Sequence, residues 1–157
     1  MKIKTVSAFE IARLVDLEPS GFCVLLLPEG EPGFLSELTK ELEVQANLSL
    51  IVVNGSGSGV EALLRSLRNS HEAVAVVLGL EHWSDSDFGD LDINRSRLTT
   101  SQFLIFAGTS TVAARLLNKA PNIRSFVGAN IFLWIPDHSC PTWIQATWAG
   151  WSVLNEG

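Results

Sequence analysis

Apolar residues along the chain fall into short, nearly continuous runs that alternate with segments of helical periodicity. Five runs rich in Val, Ile, Leu and Phe predict strands that are buried on both faces, because polar residues do not alternate with the apolar ones. The predicted strands are residues 22–27, 48–54, 73–81, 101–108 and 130–137. Apolar residues at intervals of three and four between these runs predict amphipathic helices.

The predicted helices carry their own start and stop signals. Ser7 and Glu10 form a capping-box pattern at the start of the first helix, residues 7–16. Thr109 caps a helix that continues to residue 119, and we expect Pro121 to end it. The other predicted helices are residues 33–44, residues 60–69 and a segment that contains Leu91, Arg95 and Leu98.

Strands that alternate with helices predict a single α/β domain. Doubly buried strands in succession need right-handed crossover connections, so we expect a three-layer α/β sandwich around a five-stranded, mainly parallel sheet. The length of 157 residues is typical of one domain. We expect that domain to span residues 1–157, with an apolar, tryptophan-rich tail at residues 141–157.

The charge and composition of the chain limit the classes of partner that we expect it to bind. The formal net charge is −6, so we expect no nucleic-acid binding, and the apolar runs are far shorter than the roughly 20 residues of a membrane span. The cysteines, Cys23 and Cys140, lack metal-ligand spacing and fit a reducing, cytoplasmic setting. Only 18% of the residues are charged, which predicts that a protein partner or a second copy of the chain covers some apolar surface.

The stretch IVVNGSGSGVEALL, residues 51–64, raises the question of a cofactor site. A glycine-rich turn between a strand and a helix can place backbone N–H groups and the positive helix end against a phosphate. Gly55, Gly57 and Gly59 are similar to the first motif of methyltransferases that use S-adenosylmethionine, and Glu81 ends the next strand, where a ribose-binding acid would stand. Nucleotide or S-adenosylmethionine binding through these four residues is the alternative hypothesis, and a flexible turn is the simpler one.

An ordinary P-loop is absent from the first strand–helix connection. A Walker A loop needs a lysine for the β- and γ-phosphates and a hydroxyl for magnesium. The connection reads LLLPEGEPGFLSEL, residues 25–38, and places Glu29 and Glu31 where a triphosphate would need positive charge. We therefore expect no catalytic residue and no bound cofactor.

A second acidic segment follows the third predicted strand. Four aspartates there could attract a cation, but they lack the spacing and the final bidentate Glu of a calcium loop. We therefore expect a solvated loop and no metal site. The four residues are Asp85, Asp87, Asp90 and Asp92.

Residues 80–134 resemble part of a known family. They read LEHWSDSDFGDLDINRSRLTTSQFLIFAGTSTVAARLLNKAPNIRSFVGANIFLW, which looks like the second half of degenerate STAND-type P-loop NTPase domains of bacterial conflict and signalling proteins. The matching features are Glu81, the helix ending in LDINRSRL, the strand QFLIFAG and the segment APNIRSFVG. The resemblance implies an inactive P-loop NTPase-like core with strand order 5-1-4-3-2. We predict a noncatalytic protein-interaction or regulatory module, an accessory component of a bacterial defence or signalling system.

Three of the five tryptophans lie in the tail PTWIQATWAGWSVLNEG, residues 141–157. If the tail is helical, Ile144, Trp148 and Trp151 share one face. Such a stripe either packs on the domain's own core or anchors a partner, because large aromatic side chains dominate the energetics of protein interfaces. We predict that Trp143, Trp148 and Trp151 bind a protein partner, with packing on the core as the alternative.

Overall fold

The apolar runs form strands in the computed structural model, which describes residues 2–28, 33–57, 59–98, 102–136, 143–147 and 150–153. The described strands are β1 (Lys2–Val6), β2 (Phe22–Leu26), β3 (Leu50–Asn54), β4 (Val74–Leu78), β5 (Phe103–Gly108), β6 (Ile131–Trp134), β7 (Trp143–Thr147) and β8 (Gly150–Val153). The described helices are α1 (Ala8–Leu17), α2 (Phe34–Ala46), α3 (Gly59–Arg68), α4 (Asp85–Ile93), α5 (Ser110–Lys119) and α6 (Pro121–Val127). Short 3-10 turns lie at Leu80–His82 and Arg95–Leu98.

The described strands form one sheet in the order β3-β4-β5-β2-β6-β1-β7-β8. The first six are parallel, and the β7–β8 hairpin adds two antiparallel strands beside β1. The five predicted strands are β2 to β6, and their order β6-β2-β5-β4-β3 is the predicted order 5-1-4-3-2. The prediction of a five-stranded sheet is wrong, because β1 adds a sixth parallel strand. Its sequence KIKTV exposes Lys2 and Lys4, and so lacks the continuous apolar run that marks the other parallel strands.

Helices cover both faces of the sheet, which confirms the α/β prediction. Side chains alternate between the faces along each strand. Cys23 and Leu25 of β2 belong to a core formed with α1 and α2, whereas Val24 and Leu26 belong to a core formed with α3, α4, α5 and α6. The near-continuous apolar runs therefore serve two cores at once, as parallel strands between helix layers require.

The helix starts differ in how they are capped. Thr109 caps α5 as predicted, because its hydroxyl accepts a hydrogen bond from the Val112 N–H at 3.4 Å. Ser7 occupies the N-cap position of α1 but makes no side-chain capping bond, so the predicted capping box is wrong. The Glu10 carboxylate instead lies 3.5 Å from the Lys4 ammonium on β1.

Pro121 ends α5 and also begins another helix. It stands at the start of α6, where its missing N–H costs nothing because first-turn N–H groups have no partner within the helix. The predicted helix around Leu91, Arg95 and Leu98 is likewise two elements, because α4 ends at Ile93 and a 3-10 turn follows.

The C-terminal tail pairs with the sheet. β7 is antiparallel to β1, and β8 is antiparallel to β7, with Ala146 opposite Trp151. The described part of the tail is therefore not helical, and the stripe considered for a helical tail does not form, because residues of a strand alternate with a period of two. Trp143 and Trp151 lie in β7 and β8, and Trp148 lies outside the described residues.

The chain reverses its direction across the sheet once. It moves from β1 through β2 to β3 with α1 and α2 on one face, and returns through β4 and β5 to β6 with the other helices on the opposite face. The neighbouring strands β2 and β5 are thus followed by helices on opposite faces. In open α/β sheets this arrangement leaves a crevice at the carboxyl ends of the two strands.

Candidate functional site

All the predicted cofactor-binding residues follow parallel strands at the same side of the sheet, which we call the carboxyl edge. Gly55, Gly57 and Gly59 follow β3, and Glu81 follows β4. Because β3 is the outermost described strand, the described residues of this glycine loop (residues 55–57 and 59) lie away from the crevice between β2 and β5. Glu29 and Glu31, which follow β2, lie outside the described residues.

Gly55 is held by the fold rather than presented to a ligand. Its N–H donates to the Leu78 carbonyl, and its carbonyl accepts from Trp83 Nε1, both at 2.8 Å. A Cβ at this position would lie 3.0 Å from Leu80 Cδ2 and 3.1 Å from the indole nitrogen. Close packing therefore explains this glycine without a cofactor.

Residues 54–57 form a turn that packs against Gly79, directly after β4. The Asn54 side-chain oxygen accepts from the Ser56 N–H at 2.8 Å, so this backbone donor already has a partner. Gly79 has φ +79°, and a Cβ there would collide with the same Asn54 oxygen. Gly57 and Gly59 also have positive φ, +75° and +68°, but a Cβ on either would meet nothing within 4 Å. These last two glycines satisfy a backbone requirement and face open space.

The start of α3 is occupied by an ion pair. Arg97 donates to both carboxylate oxygens of Glu61, at 2.7 and 3.2 Å. These hydrogen bonds and the Arg97 charge, followed by the charges of Arg65 and Arg68, lower the pKa of Glu61. The first turn of α3 thus holds a carboxylate, which is paired with Arg97 and competes with an anionic ligand for the positive end of this helix.

Glu81 does not contact the glycine loop through any described hydrogen bond. It lies in the 3-10 turn after β4, with its side chain 56% exposed, and pairs with His82 at 3.8 Å. The same turn instead brings its neighbours Leu80 and Trp83 against Gly55. The residue that links the ends of β3 and β4 is therefore Trp83 of the segment LEHW, whose side chain is 3% exposed.

Acidic residues are common at the helix starts of the carboxyl edge. Within the described chain, the helices that follow β1, β2 and β3 each have an acid in the first turn, as does α4, whereas α5 has none. Acids are favourable at the positive end of a helix dipole, and they repel phosphate from the same place. The first-turn acids are Glu10, Glu37, Glu61, Asp85 and Asp87.

Glu37 differs from the other first-turn acids. Glu10 pairs with Lys4, Glu61 with Arg97, Asp85 with Arg115, and Asp87 accepts from the Ser84 N–H. The Glu37 carboxylate has no hydrogen bond or ion pair among the described residues, and its Oε2 is buried. No sequence signal separated Glu37 from the neighbouring glutamates, because its lack of a partner depends on the tertiary arrangement.

Two of the segments that carry the family resemblance, LDINRSRL and APNIRSFVG, contact each other. Asp92 of LDINRSRL is 6% exposed, and its Oδ1 accepts from the N–H groups of Asn122 and Ile123 at 3.0 and 2.9 Å. Its Oδ2 accepts from Asn122 Nδ2 at 2.8 Å. Asp92 therefore caps α6, and the prediction of a solvated acidic loop is wrong for this residue. The other three aspartates also lie in α4 rather than in the predicted loop, Asp85 and Asp87 in its first turn and Asp90 further along.

Other chemistry is limited in the part of the chain that the structure describes. Cys23 is fully buried, and burial raises the pKa of its thiol far above the ordinary value, as befits a core residue. The described residues contain no group of three or more His, Cys, Asp or Glu that could hold a metal ion. None of the described helices combines the length and the apolar character that crossing a membrane requires.

Comparison of the chain with protein-family models, with curated proteins and with solved structures finds no match. The STAND-type resemblance therefore stays a prediction that rests on the segments quoted above. The carboxyl edge is acidic, and its glycine loop is hydrogen-bonded to Trp83. Among the described first-turn acids, Glu37 is the one without a partner.

Proposed function

We propose that the chain is a noncatalytic protein-interaction or regulatory module with a degenerate P-loop NTPase-like fold. The acidic carboxyl edge carries this proposal, because four helices that begin there have carboxylates in the first turn, and a carboxylate at a helix start disfavours phosphate binding at that end. The strand order 5-1-4-3-2 among β2 to β6 is consistent with the proposed ancestry. A place as an accessory component of a bacterial defence or signalling system rests on the resemblance of residues 80–134 alone.

Ligand-dependent thermal stability tests the noncatalytic part of this proposal. A ligand at 100 times its Kd adds about 2.7 kcal/mol to the free energy of unfolding, which shifts the melting temperature measurably. We expect ATP, GTP, NAD and S-adenosylmethionine to leave the melting temperature unchanged. A saturable rise with any of the four contradicts the proposal.

Partner capture tests the interaction part. We expect the tagged chain, purified from the cell that makes it, to retain partner proteins that the double variant Trp148→Ala, Trp151→Ala loses. Ile93→Ala is a matched control, because it removes an apolar side chain that is 75% exposed on α4. The circular dichroism spectra of all variants should be native. Capture that persists in the double variant rejects these tryptophans as anchors.

The second candidate is a binding site for a nucleotide or S-adenosylmethionine at Gly55, Gly57, Gly59 and Glu81. The open space beside Gly57 and Gly59 favours it, because a ligand could approach their backbone closely. If the thermal screen gives a shift, Gly57→Val should abolish it by filling that space. A shift that survives Gly57→Val places the ligand elsewhere.

A further inference from the structure

The strand β3 has one edge with which no described strand pairs, because it stands first in the order of the sheet. Two hydrogen bonds show which of its residues face β4. The Ser49 carbonyl accepts from the Val74 N–H at 3.3 Å, and the Gly55 N–H donates to the Leu78 carbonyl at 2.8 Å. Backbone groups alternate between the two edges of a strand along a parallel ladder, so the odd-numbered residues of β3 bond to β4.

The even-numbered residues of β3 direct their backbone N–H and C=O groups away from β4. They are Leu50, Val52 and Asn54, and no described hydrogen bond uses these outward backbone groups. We call this row the free edge of β3. It is open to solvent, because Val52 is 41% exposed and Asn54 is exposed as well. A groove of about 380 Å³ beside Leu50, lined also by Glu43 and Asn47 of the α2 end, leaves room at the start of the strand.

The chemistry of the free edge matches that of another extended strand. A row of outward N–H and C=O groups needs acceptors and donors at the same spacing, which the backbone of a second strand supplies. Proteins commonly protect an exposed edge strand with lysine or proline, but β3 reads LIVVN and contains neither. Residues 44–60 contain no charged residue at all. The edge therefore lacks the features that oppose strand pairing.

We propose that the free edge of β3 binds the same edge of a second copy of the chain, with the two strands antiparallel about a two-fold axis at Val52. In this register Val52 lies opposite its own counterpart and Leu50 lies opposite Asn54, so each residue exchanges both backbone hydrogen bonds with the residue opposite. Every outward group of both strands is thereby paired. A second copy is favoured over a different protein, because an uncharged edge has no charge pattern to select one, whereas self-pairing is complementary by symmetry.

The exposed side chain of Val52 strengthens this pairing, and the charge of the chain weakens it. Val52 and Leu50 lie on the same face of β3, and the two Val52 side chains meet across the axis, which covers their apolar surface. The net charge of −6 makes two copies repel each other, and salt screens this repulsion. We therefore expect a weak dimer that salt strengthens. This inference goes beyond the proposed function and does not depend on it.

Sedimentation velocity and amide hydrogen exchange of the unmodified full chain test the proposal. Between about 10 μM and about 1 mM, a range suited to a small interface, we expect the sedimenting species to change from one copy to two. The Kd should be lower at high salt than at low salt. The amide N–H groups of Leu50 and Val52 should exchange more slowly at the high concentration. Those of Ile51 and Val53, which bond to β4 in both states, should change far less.

Two variants locate the interface. Val52→Lys places two ammonium groups opposite each other at the axis and should weaken dimerisation at least about tenfold. Ile93→Lys is the matched control, because it makes the same change of charge at an apolar residue that is 75% exposed on α4. We expect it to leave the Kd within about twofold, since α4 lies away from the free edge. The hydrogen-exchange comparison needs no variant and so does not depend on the folding of either one.

The possible failures can be told apart. A chain that stays monomeric at every concentration, a dimer that survives Val52→Lys, or dimerisation without slower exchange at Val52 overturns the proposal. If the chain is monomeric and Val52→Lys loses a captured partner protein, the free edge binds a different protein, which also overturns self-pairing. The proposed function is tested by the thermal screen and by capture through the tryptophans, and it stands even if self-pairing fails.

Discussion

The starts of α2 and α3 both follow parallel strands at the carboxyl edge, yet they differ in how their polar groups are satisfied. At α3, Arg97 pairs with Glu61, and the glycine loop bonds to Trp83 and to the Asn54 side chain. At α2, the Glu37 carboxylate has no described partner, and Gly33 provides no side-chain cap. The comparison teaches that a conspicuous glycine pattern can have its polar groups satisfied by the fold, while a less conspicuous helix start keeps a buried carboxylate oxygen without a hydrogen bond.

The largest expected effect comes from removing the side chain that holds the glycine loop. Trp83→Ala should lower the free energy of unfolding by about 3–5 kcal/mol, because it leaves a cavity beside Phe88 and breaks the bond to Gly55. Urea denaturation measures the loss. Trp83→Phe keeps most of the packing, so its cost should be nearer about 1 kcal/mol. A small effect of Trp83→Ala would mean that the loop is not held as we describe.

The next largest loss of stability should come from removing the cap of α6, which Asp92 of α4 provides. Asp92→Ala should cost about 1–3 kcal/mol, because it leaves the buried N–H of Ile123 and the partly buried N–H of Asn122 without their acceptor. Asp90→Ala is the matched control on the exposed side of α4 and should change stability by less than about 0.5 kcal/mol. Equal losses in the two variants, measured by urea denaturation, would contradict the capping role.

Alanine at one glycine from each helix start should have opposite effects. Gly57→Ala should lower stability by about 1 kcal/mol, because φ is +75° there. Gly33→Ala should raise stability by about 0.4–1 kcal/mol, because φ is −81° and the added Cβ would lie 3.8 Å from Glu37 Oε1, an ordinary contact. Thermal unfolding of both variants measures the two effects. Effects of the same sign would contradict the expected contrast.

A still smaller effect is expected from the loss of the exposed Glu61–Arg97 ion pair. The folded-state pKa of Glu61 is lowered, so the pair stabilises the fold above the unfolded-state pKa, and this contribution disappears as the pH falls through the folded-state pKa. Glu61→Gln should therefore be slightly less stable than the parent chain at neutral pH and equal to it in acid. High salt should also reduce the difference.

Glu37→Gln is the comparison for this prediction, because it breaks no ion pair in the described chain. At neutral pH we expect it to cost less stability than Glu61→Gln in the same urea experiment. A larger loss would show that Glu37 supports the fold through a contact of its own, and the contrast between α2 and α3 would then fail.

The elements that could be predicted from the sequence are those with a strong local pattern. The continuous apolar runs predicted the strands β2 to β6, and Thr109 predicted the start of α5. Weaker or context-dependent patterns led to errors. β1 alternates lysines with buried residues, Pro121 can end one helix and begin another, and the tail's spacing fits a helix although β1 offers it a pairing partner.

The candidate site was likewise predictable from the sequence only in part. The predicted residues Gly55, Gly57, Gly59 and Glu81 do lie at the carboxyl edge, because parallel strands all end there. The sequence could not show that Trp83 binds Gly55 or that Asp92 caps α6, since both contacts join residues roughly 30 positions apart. Such contacts depend on which helices and strands meet after the chain has crossed the sheet.

By itself, the sequence determined the α/β class, the doubly buried strands and an acidic chain, because burial periodicity and charge are local properties of the residues. Only the tertiary structure decided which acids are paired. Glu61 and Glu37 both lie in the first turn of their helices, but Arg97 pairs with Glu61, whereas no described cation pairs with Glu37. Whether a polar group is satisfied depends on its neighbours in space, and this distinguishes the start of α2 from the glycine loop.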